Sequence, residues 1–455
     1  MEKNNKKVVG YLPDETPSVG KLLVFALQQI LVMFPATVTV ALLTGFHVST
    51  TIFASGFATI CFLLVTRGKI PLYYGSSFSY IAAVCAITMA NGGVIGVPAP
   101  DHLISQAQFG ILFSGIISIA AGLIVRFFGM EIIEKILPPT LTGSIALIIG
   151  ITLAGTAMQL ASSFGTTDAG AVVHSDRAWL VAGITLLATI LFSVYLKGVW
   201  GQLPILFGIL VGYLASFPLG VTGSVAIADI FKDGFFEVPH FTLPSVNWNA
   251  ALAIMPIALA TIPESTAHLF QLDLYVNDLA DKKGKKRFKI ADKLGLNLIG
   301  DGIGDMAASL FGGPGGTNYG ENISTMAITK NFSVKMLGTA ALMAIVLSFV
   351  KPLSNLVNTI PTPVINGACI FLFGVIAVQG IAIMISKKVD IFDARNLAVV
   401  AVVLVVGIGG HYGFPNGMIP VLDFQLPAIA TASIVGIVLN LILSIGAPKK
   451  ETSEA

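Results

Sequence analysis

Glu264 and Glu321 are carboxylates set inside stretches that are otherwise apolar enough to cross a bilayer. An ionised side chain near the membrane midplane costs on the order of 2.5–3.5 kcal/mol on insertion scales, so an acid retained there marks a candidate site. The competing account is a purely structural hydrogen bond between helices. In Pro263-Glu264-Ser265-Thr266-Ala267-His268 the acid and the histidine are four residues apart and share one helical face. A carboxylate accepts from ligand N–H groups and an imidazole titrates near neutrality, so this face can bind a donor and exchange a proton. Pro263 is expected to loosen the helix just before the acid. Asp301 and Asp305 share a second face, where they either tie their span to its neighbours or serve a coupling ion.

The elements that must hold these groups are membrane spans. Hydrophobic residues make up 55% of the 455 positions and charged ones 11%, which excludes a water-soluble domain of this size. The net charge of +2 gives no case for nucleic acid, because the basic residues sit in loops beside spans. The 3 cysteines, Cys61, Cys85 and Cys369, fall in apolar runs and imply no disulfide framework. Apolar runs place spans at 22–45, 48–66, 104–128, 135–157, 178–197, 202–222, 249–270, 334–357, 363–386, 396–411 and 426–446. Weaker spans at 70–90, 293–313 and 318–330 bring the crossings to fourteen. With both termini cytoplasmic, every lysine and arginine except Arg177, Lys232 and Lys351 falls on the cytoplasmic side. The run Lys282 to Lys289 then reads as a solvated linker that fixes topology, with lipid headgroup binding as the alternative. Glu131, Glu134 and Lys135 read as interfacial charges.

Two internal matches recur in the same order. Tyr74-Gly75-Ser76-Ser77-Phe78-Ser79 resembles Tyr319-Gly320-Glu321-Asn322-Ile323-Ser324, and Pro139, Gly143 and Gly150 have the spacing of Pro363, Gly367 and Gly374. They suggest a repeat of seven spans, and an odd number of spans inverts the second copy in the membrane. Both Tyr-Gly segments lie in weak spans, where glycine and small polar residues interrupt a helix. Each is expected to run extended and then become a half-helix, aiming the amides around Phe78 and Gly320 into a shared cavity. Carboxylates facing amide donors suit a small planar ring whose edge alternates N–H and C=O.

Other classes fit less well. Asp301-Gly302 and Asp305 faintly suggest a membrane-embedded, metal-dependent transferase, but no second acidic cluster and no His-Glu-x-x-His run accompany them. A channel lacks its filter or gating-charge pattern. The chain therefore reads as a transporter and not an enzyme, with no metal site and no cofactor beyond a proton as coupling ion.

Phe311-Gly312-Gly313-Pro314 followed by Tyr319-Gly320-Glu321-Asn322 resembles the span-10 signature of the nucleobase:cation symporter-2 family, and specifically its bacterial uracil permease branch. Gly75-Ser76-Ser77-Phe78, the Glu264 and His268 pair, Asp301-Gly302 and the Pro-Gly pattern of span 12 extend the resemblance over nearly the whole chain. It departs at Gly315 and Gly316, where the branch usually has Pro and Asn, and at Ser324 and Ser265. Purine-carrying relatives usually have Gln where Glu321 stands, which favours a pyrimidine.

The resemblance implies an all-α polytopic membrane protein of 14 spans in a 7+7 inverted repeat, with short antiparallel strands in spans 3 and 10. Its implied division is a cytoplasmic N-terminus 1–20, core domain 21–128 and 249–357, gate domain 129–223 and 358–447, and cytoplasmic C-terminus 448–455. Glu264, Glu321, the amides of Phe78 and Gly320, and Tyr319 would bind the base, with His268, Glu264 and Asp301 in proton coupling. The implied activity is proton-coupled uracil uptake across the inner membrane by an elevator-like motion, commonly in a homodimer, with a xanthine or purine symporter as the alternative.

Overall fold

The computed structural model describes residues 10–89, 97–129, 135–166, 172–198, 200–223, 230–231, 234–421 and 424–445. The expectations for Glu131, Glu134, Lys232 and the C-terminal stretch 448–455 lie outside these residues. Among the described residues, eight helical stretches are long and apolar enough to cross a membrane, and shorter apolar helices accompany them. This is a mostly helical, multi-pass membrane protein.

Helices α1 (Val19–Thr44), α2 (Val48–Val65), α4 (Asp101–Phe128), α5 (Pro139–Ala161), α6 (Asp176–Tyr195), α7 (Pro204–Ser216), α14 (Thr362–Ser386) and α16 (Ala428–Ser444) fall where apolar runs put them. The weak span at 70–90 is instead strand β1 (Tyr74–Ser76), a 3-10 turn Phe78–Tyr80 and the short helix α3 (Ile81–Thr88). Its counterpart at 318–330 is strand β2 (Gly316–Asn318) followed by α11 (Gly320–Thr329), with α10 (Leu294–Ser309) just before it. The expected span 249–270 divides into α8 (Trp248–Ile254), a 3-10 turn at Met255–Ile257, and α9, which runs on from Ala258 to Lys282. The break therefore falls at Pro256, while Pro263 is carried inside a continuous α9. The expected span 334–357 likewise divides into α12 (Val334–Ser348) and α13 (Lys351–Asn358), because Pro352 has no N–H to continue the helix. Helix α15 (Ala394–Leu404) passes into a π-turn, Val405–Gly409, before one last turn to Gly413.

Lipid tails are as apolar as leucine, so helices in a bilayer associate by close packing, and small residues permit it. A Cβ on Gly115 would lie 2.5 Å from the Gly302 carbonyl, and one on Gly122 would lie 2.6 Å from that of Gly295. Rising numbers in α4 thus meet falling numbers in α10, and the two run antiparallel with backbones in contact. The same holds for α5 and α14, where a Cβ on Gly143 would stand 2.6 Å from the Gly380 carbonyl. Helices α2 and α12 also pack on the α4–α10 group, and α6, α7 and α16 gather around α5 and α14.

At the end that carries the chain's beginning, four side chains of the basic run pair with protein carboxylates. Lys283 and Lys285 hold Glu15 at 2.6 and 2.7 Å, Lys282 pairs with Asp278 and Arg287 with Asp281. Burial alone would raise the Glu15 carboxyl, but the two lysines and the Leu12 amide hold it down, at about 2.

Candidate functional site

Non-helical backbone at membrane depth survives only where protein satisfies its N–H and C=O groups. Strands β1 and β2 pair antiparallel, Tyr74 opposite Asn318, Gly75 opposite Thr317 and Ser76 opposite Gly316. The ladder continues at both ends, as Tyr319 N–H donates to the Tyr73 carbonyl and Ser77 N–H to that of Gly315, each at 3.0 Å. Helix α2 serves the outer edge of β1: the hydroxyls of Ser55 and Thr59 donate to the Tyr74 carbonyl, and Tyr74 N–H donates to Thr59 Oγ1.

Each strand then turns into a helical start. Ser77 caps the 3-10 turn by accepting from the Ser79 amide, and Tyr319 occupies the cap of α11. The first amides of such elements have no intrahelical acceptor, and the residues at these two starts, Phe78 and Gly320, line one cavity of about 280 Å³. Glu264 and His268 from α9 and Glu321 from the first turn of α11 border it too. The expected strand-then-half-helix arrangement is present at both segments. It brings Phe78, Glu264, His268, Tyr319, Gly320 and Glu321 to one place.

Their environments differ. Glu264 is half-buried and accepts weakly from Ser79 at 3.4 Å, while the Glu321 side chain is open to the cavity. The His268 ring stands against Gly320, where a Cβ would be 2.8 Å from Nε2, and its Nδ1 has no hydrogen-bond partner. Tyr319 is 4% exposed: its hydroxyl shares a 2.9 Å bond with Thr37 of α1 and its ring stacks on Tyr73. The phenol therefore braces the strand pair, and Tyr319 also lines the cavity.

The two aspartates sit one layer behind. Asp305 accepts from Tyr74 Oη at 2.5 Å, Tyr80 Oη at 2.8 Å and Gly316 N–H at 2.7 Å, tying α10 to both strands. Asp301 accepts from Ser265, whose oxygen takes Nδ2 of Asn297 at 2.6 Å and of Asn318 at 3.0 Å. Its other oxygen, Oδ1, is buried with no partner. Asp301 does not border the cavity, and reaches it only through Ser265 and Asn318.

Seven residues that line the cavity were not among the expected site residues: Ser76, Ser77, Gln271, Thr317, Asn318, Ser324 and Gln379. Gln271 continues the Glu264 and His268 face by three positions, a periodicity legible once that face is recognised. Ser77 lies inside a motif already quoted. Gln379 comes from α14, in the other helix group, and its one signal is an amide inside a long apolar helix.

Similarity to known proteins agrees with this geometry. The sequence profile described as Permease family (Xan_ur_permease) matches residues 20–416. The chain belongs to the nucleobase:cation symporter-2 family. It is 36% identical over 437 residues to the uracil permease of Bacillus caldolyticus, covering 94% of this chain and 93% of that one. The uracil permease of Escherichia coli K12 is 32% identical over 432 residues, at 95% and 93% coverage. A putative pyrimidine permease, RutG, of the same strain is 33% identical over 436 residues, at 95% and 91% coverage. The fold of this chain is similar to those of two solved transporters. The transmembrane domain of the cyanobacterial bicarbonate transporter BicA superposes with a TM-score of 0.59 at 14% identity, covering 94% of this chain and 99% of that one. Murine Slc26a9 in the inward-facing state gives 0.64 at 12% identity, covering 95% and 69%. Those carriers speak to the fold alone.

Proposed function

We propose that this permease carries uracil, with protons, into the cell across the bacterial inner membrane, both termini lying in the cytoplasm. The observation that carries the reading is one cavity lined by two glutamates and by the two residues, Phe78 and Gly320, at which the helical starts begin. Glu264 and Glu321 accept from the ring N–H groups, while the amides of Phe78 and Gly320 donate to the ring carbonyls. The uracil permease relatives, each matched over more than nine-tenths of the chain, support uracil as the base. Proton exchange is assigned to the Glu264 and His268 face, with Asp301 relayed through Ser265.

The movement we propose slides a core of α1–α4 and α8–α13 against a gate of α5–α7 and α14–α16, working as a homodimer. Two features support a 7+7 inverted repeat of fourteen spans: the matched segments β1 and β2 run antiparallel, and so do the matched helices α5 and α14. Gln379 is the gate's contact with the base in this arrangement.

Uptake of labelled uracil into proteoliposomes under an imposed inward proton gradient tests the reading. Saturable, gradient-driven uptake blocked by uracil and not by xanthine is expected. Glu321→Gln should weaken uracil binding roughly 10- to 100-fold, the worth of a hydrogen bond to a charged group. Xanthine competition would place the chain among purine carriers, and unchanged affinity in that variant would remove Glu321 from the ligand set.

A further inference from the structure

Far from this cavity, at the opposite end of α1 from Glu15, three segments distant in sequence bring their polar tips together. His47 lies in the short link between α1 and α2, Asp101 is the first residue of α4, and His240 lies in the extended segment that leads to α8. One ligand atom from each lies within 4.8 Å of the others. His240 Nε2 is 2.9 and 3.0 Å from the two Asp101 oxygens, and His47 Nε2 is 3.9 Å from Oδ1. The imidazole centroids are 4.5 Å apart.

We propose that His47, Asp101 and His240 form a binding site for a divalent transition-metal ion, Zn²⁺ above all, on the face opposite the N-terminal segment. Two imidazole nitrogens and one carboxylate oxygen are a donor set that Zn²⁺ takes, with a fourth position left to water. Tetrahedral Zn²⁺ with bonds of about 2.0–2.1 Å spaces its ligands about 3.3 Å apart, inside the span of separations present here. Closing the set asks most of the His47 side chain, whose Nε2 stands 3.9 Å from Asp101 Oδ1. The backbones are already held: Ala99 N–H donates to the Gly45 carbonyl at 2.8 Å, and Thr50 Oγ1 donates to the His240 carbonyl at 2.8 Å.

His47 Nε2 supplies the independent sign of a ligand. It is shielded by neighbouring atoms yet has no hydrogen-bond partner, and it faces the Asp101 and His240 pair. A simple His240–Asp101 hydrogen bond leaves that nitrogen without a role, whereas a metal ion uses all three groups. Entry is open, since the Asp101 and His240 side chains are 59% and 52% exposed. Bound metal would clasp the outer ends of α1, α2, α4 and α8, beside a cavity of about 220 Å³ that Glu237 and Asn355 also border. Sequence spacing hides the site, because its residues lie 54 and 139 positions apart, from 101 minus 47 and 240 minus 101.

The test uses the purified full chain in detergent, freed of any affinity tag and treated with chelator. Zn²⁺ is titrated calorimetrically and Co²⁺ by its visible absorption. One equivalent per chain is expected, with a Co²⁺ band of tetrahedral type. Loss of a partner one bond further out already weakens metal binding about 10- to 100-fold, so His47→Ala and His240→Ala should each weaken it by at least about 10-fold. His411→Ala is the control and should bind as the parent does. Zn²⁺ should also raise the thermal midpoint of the parent and not of the double variant, which keeps the test valid where a single variant folds poorly. Absence of stoichiometric binding, or binding that survives both alanine changes, would overturn the site.

Discussion

Tyr74 donates its hydroxyl to Asp305 at 2.5 Å across 231 positions of sequence, and so fastens strand β1 to helix α10. The same carboxylate takes Tyr80 Oη and Gly316 N–H, so both halves of the broken-helix pair hang from one buried side chain. Asp305 thereby falls on the structural side of the two readings open for it in sequence.

Removing this acceptor should be costly. Asp305→Ala leaves the Tyr74 hydroxyl and the Gly316 amide without this acceptor, each worth about 1–3 kcal/mol when left unpaired, while Tyr80 Oη keeps Ser114 at 2.7 Å, so the variant should unfold several degrees earlier or fail to accumulate. Asp305→Asn keeps one acceptor oxygen and should lose less, and Tyr74→Phe less again. Thermal unfolding in detergent ranks the three. An Asp305→Ala protein that melts with the parent would remove Asp305 from this role.

Gly75 faces the ring that braces the strands. A Cβ there would lie 2.5 Å from Tyr319 Cζ, and the ring cannot retreat, because Thr37 holds its hydroxyl and Tyr73 stacks on it. Gly75→Ala should cost about 1–3 kcal/mol of stability from overpacking and depress uptake with it. The clashing atoms are the ring carbons Cε2 and Cζ, which Tyr319→Phe would keep, so Gly75→Ala should cost less in a Tyr319→Leu background than in the parent. If it costs as much there, the clash is not with the Tyr319 ring.

Gln379 separates binding from stability. It reaches the cavity from the α14 group, and in the proposed function it meets the base from the gate side. Gln379→Ala should raise the apparent KM for uracil by about fivefold, the worth of one neutral hydrogen bond, with the thermal midpoint unchanged. An unchanged KM would leave the base bound from one helix group alone.

Much of this was legible in sequence because the bilayer is an exacting solvent. Long apolar runs had to be helices, and the Tyr-Gly runs among them had to interrupt one, so extended backbone there followed from the cost of unsatisfied groups, whereas the antiparallel pairing came from the family resemblance and β2 lies just ahead of its Tyr-Gly motif. Glu264 and His268 were readable as one face from their spacing. What stayed hidden depended on contacts between distant segments. Asp305 could be read as an ion site until Tyr74, Tyr80 and Gly316 were seen to use up its oxygens. Tyr319 lines the cavity as expected, but the bond from its hydroxyl to Thr37 of α1 had no sign in the sequence. The position of the break before α9 was missed because two prolines seven residues apart, Pro256 and Pro263, compete for it. The 3-10 turn at the first lets the second ride inside the helix.

The Glu15 clasp makes a prediction whose sign follows from charge. Tyr11 N–H donates to the Lys330 carbonyl and Phe332 N–H to that of Tyr11, so the N-terminal segment lies along the link between α11 and α12. Glu15 fixes that segment to the α9 end through Lys283 and Lys285, and also takes the Leu12 amide at 2.8 Å. Its carboxyl is held from 4.5 down to about 2, so the clasp is fully present above pH 4.5 and is lost as pH falls toward 2. Glu15→Gln reproduces the protonated state at neutral pH without exposing the membrane protein to acid. Hydrogen exchange at the amides of Tyr11, Leu12 and Phe332 should then accelerate several-fold while the α4 and α10 amides stay protected. High salt should loosen the parent in the same direction, because Lys285 is largely exposed. If exchange at Tyr11 and Phe332 is unchanged by Glu15→Gln, the backbone pairing alone holds the segment and the ion pairs are incidental.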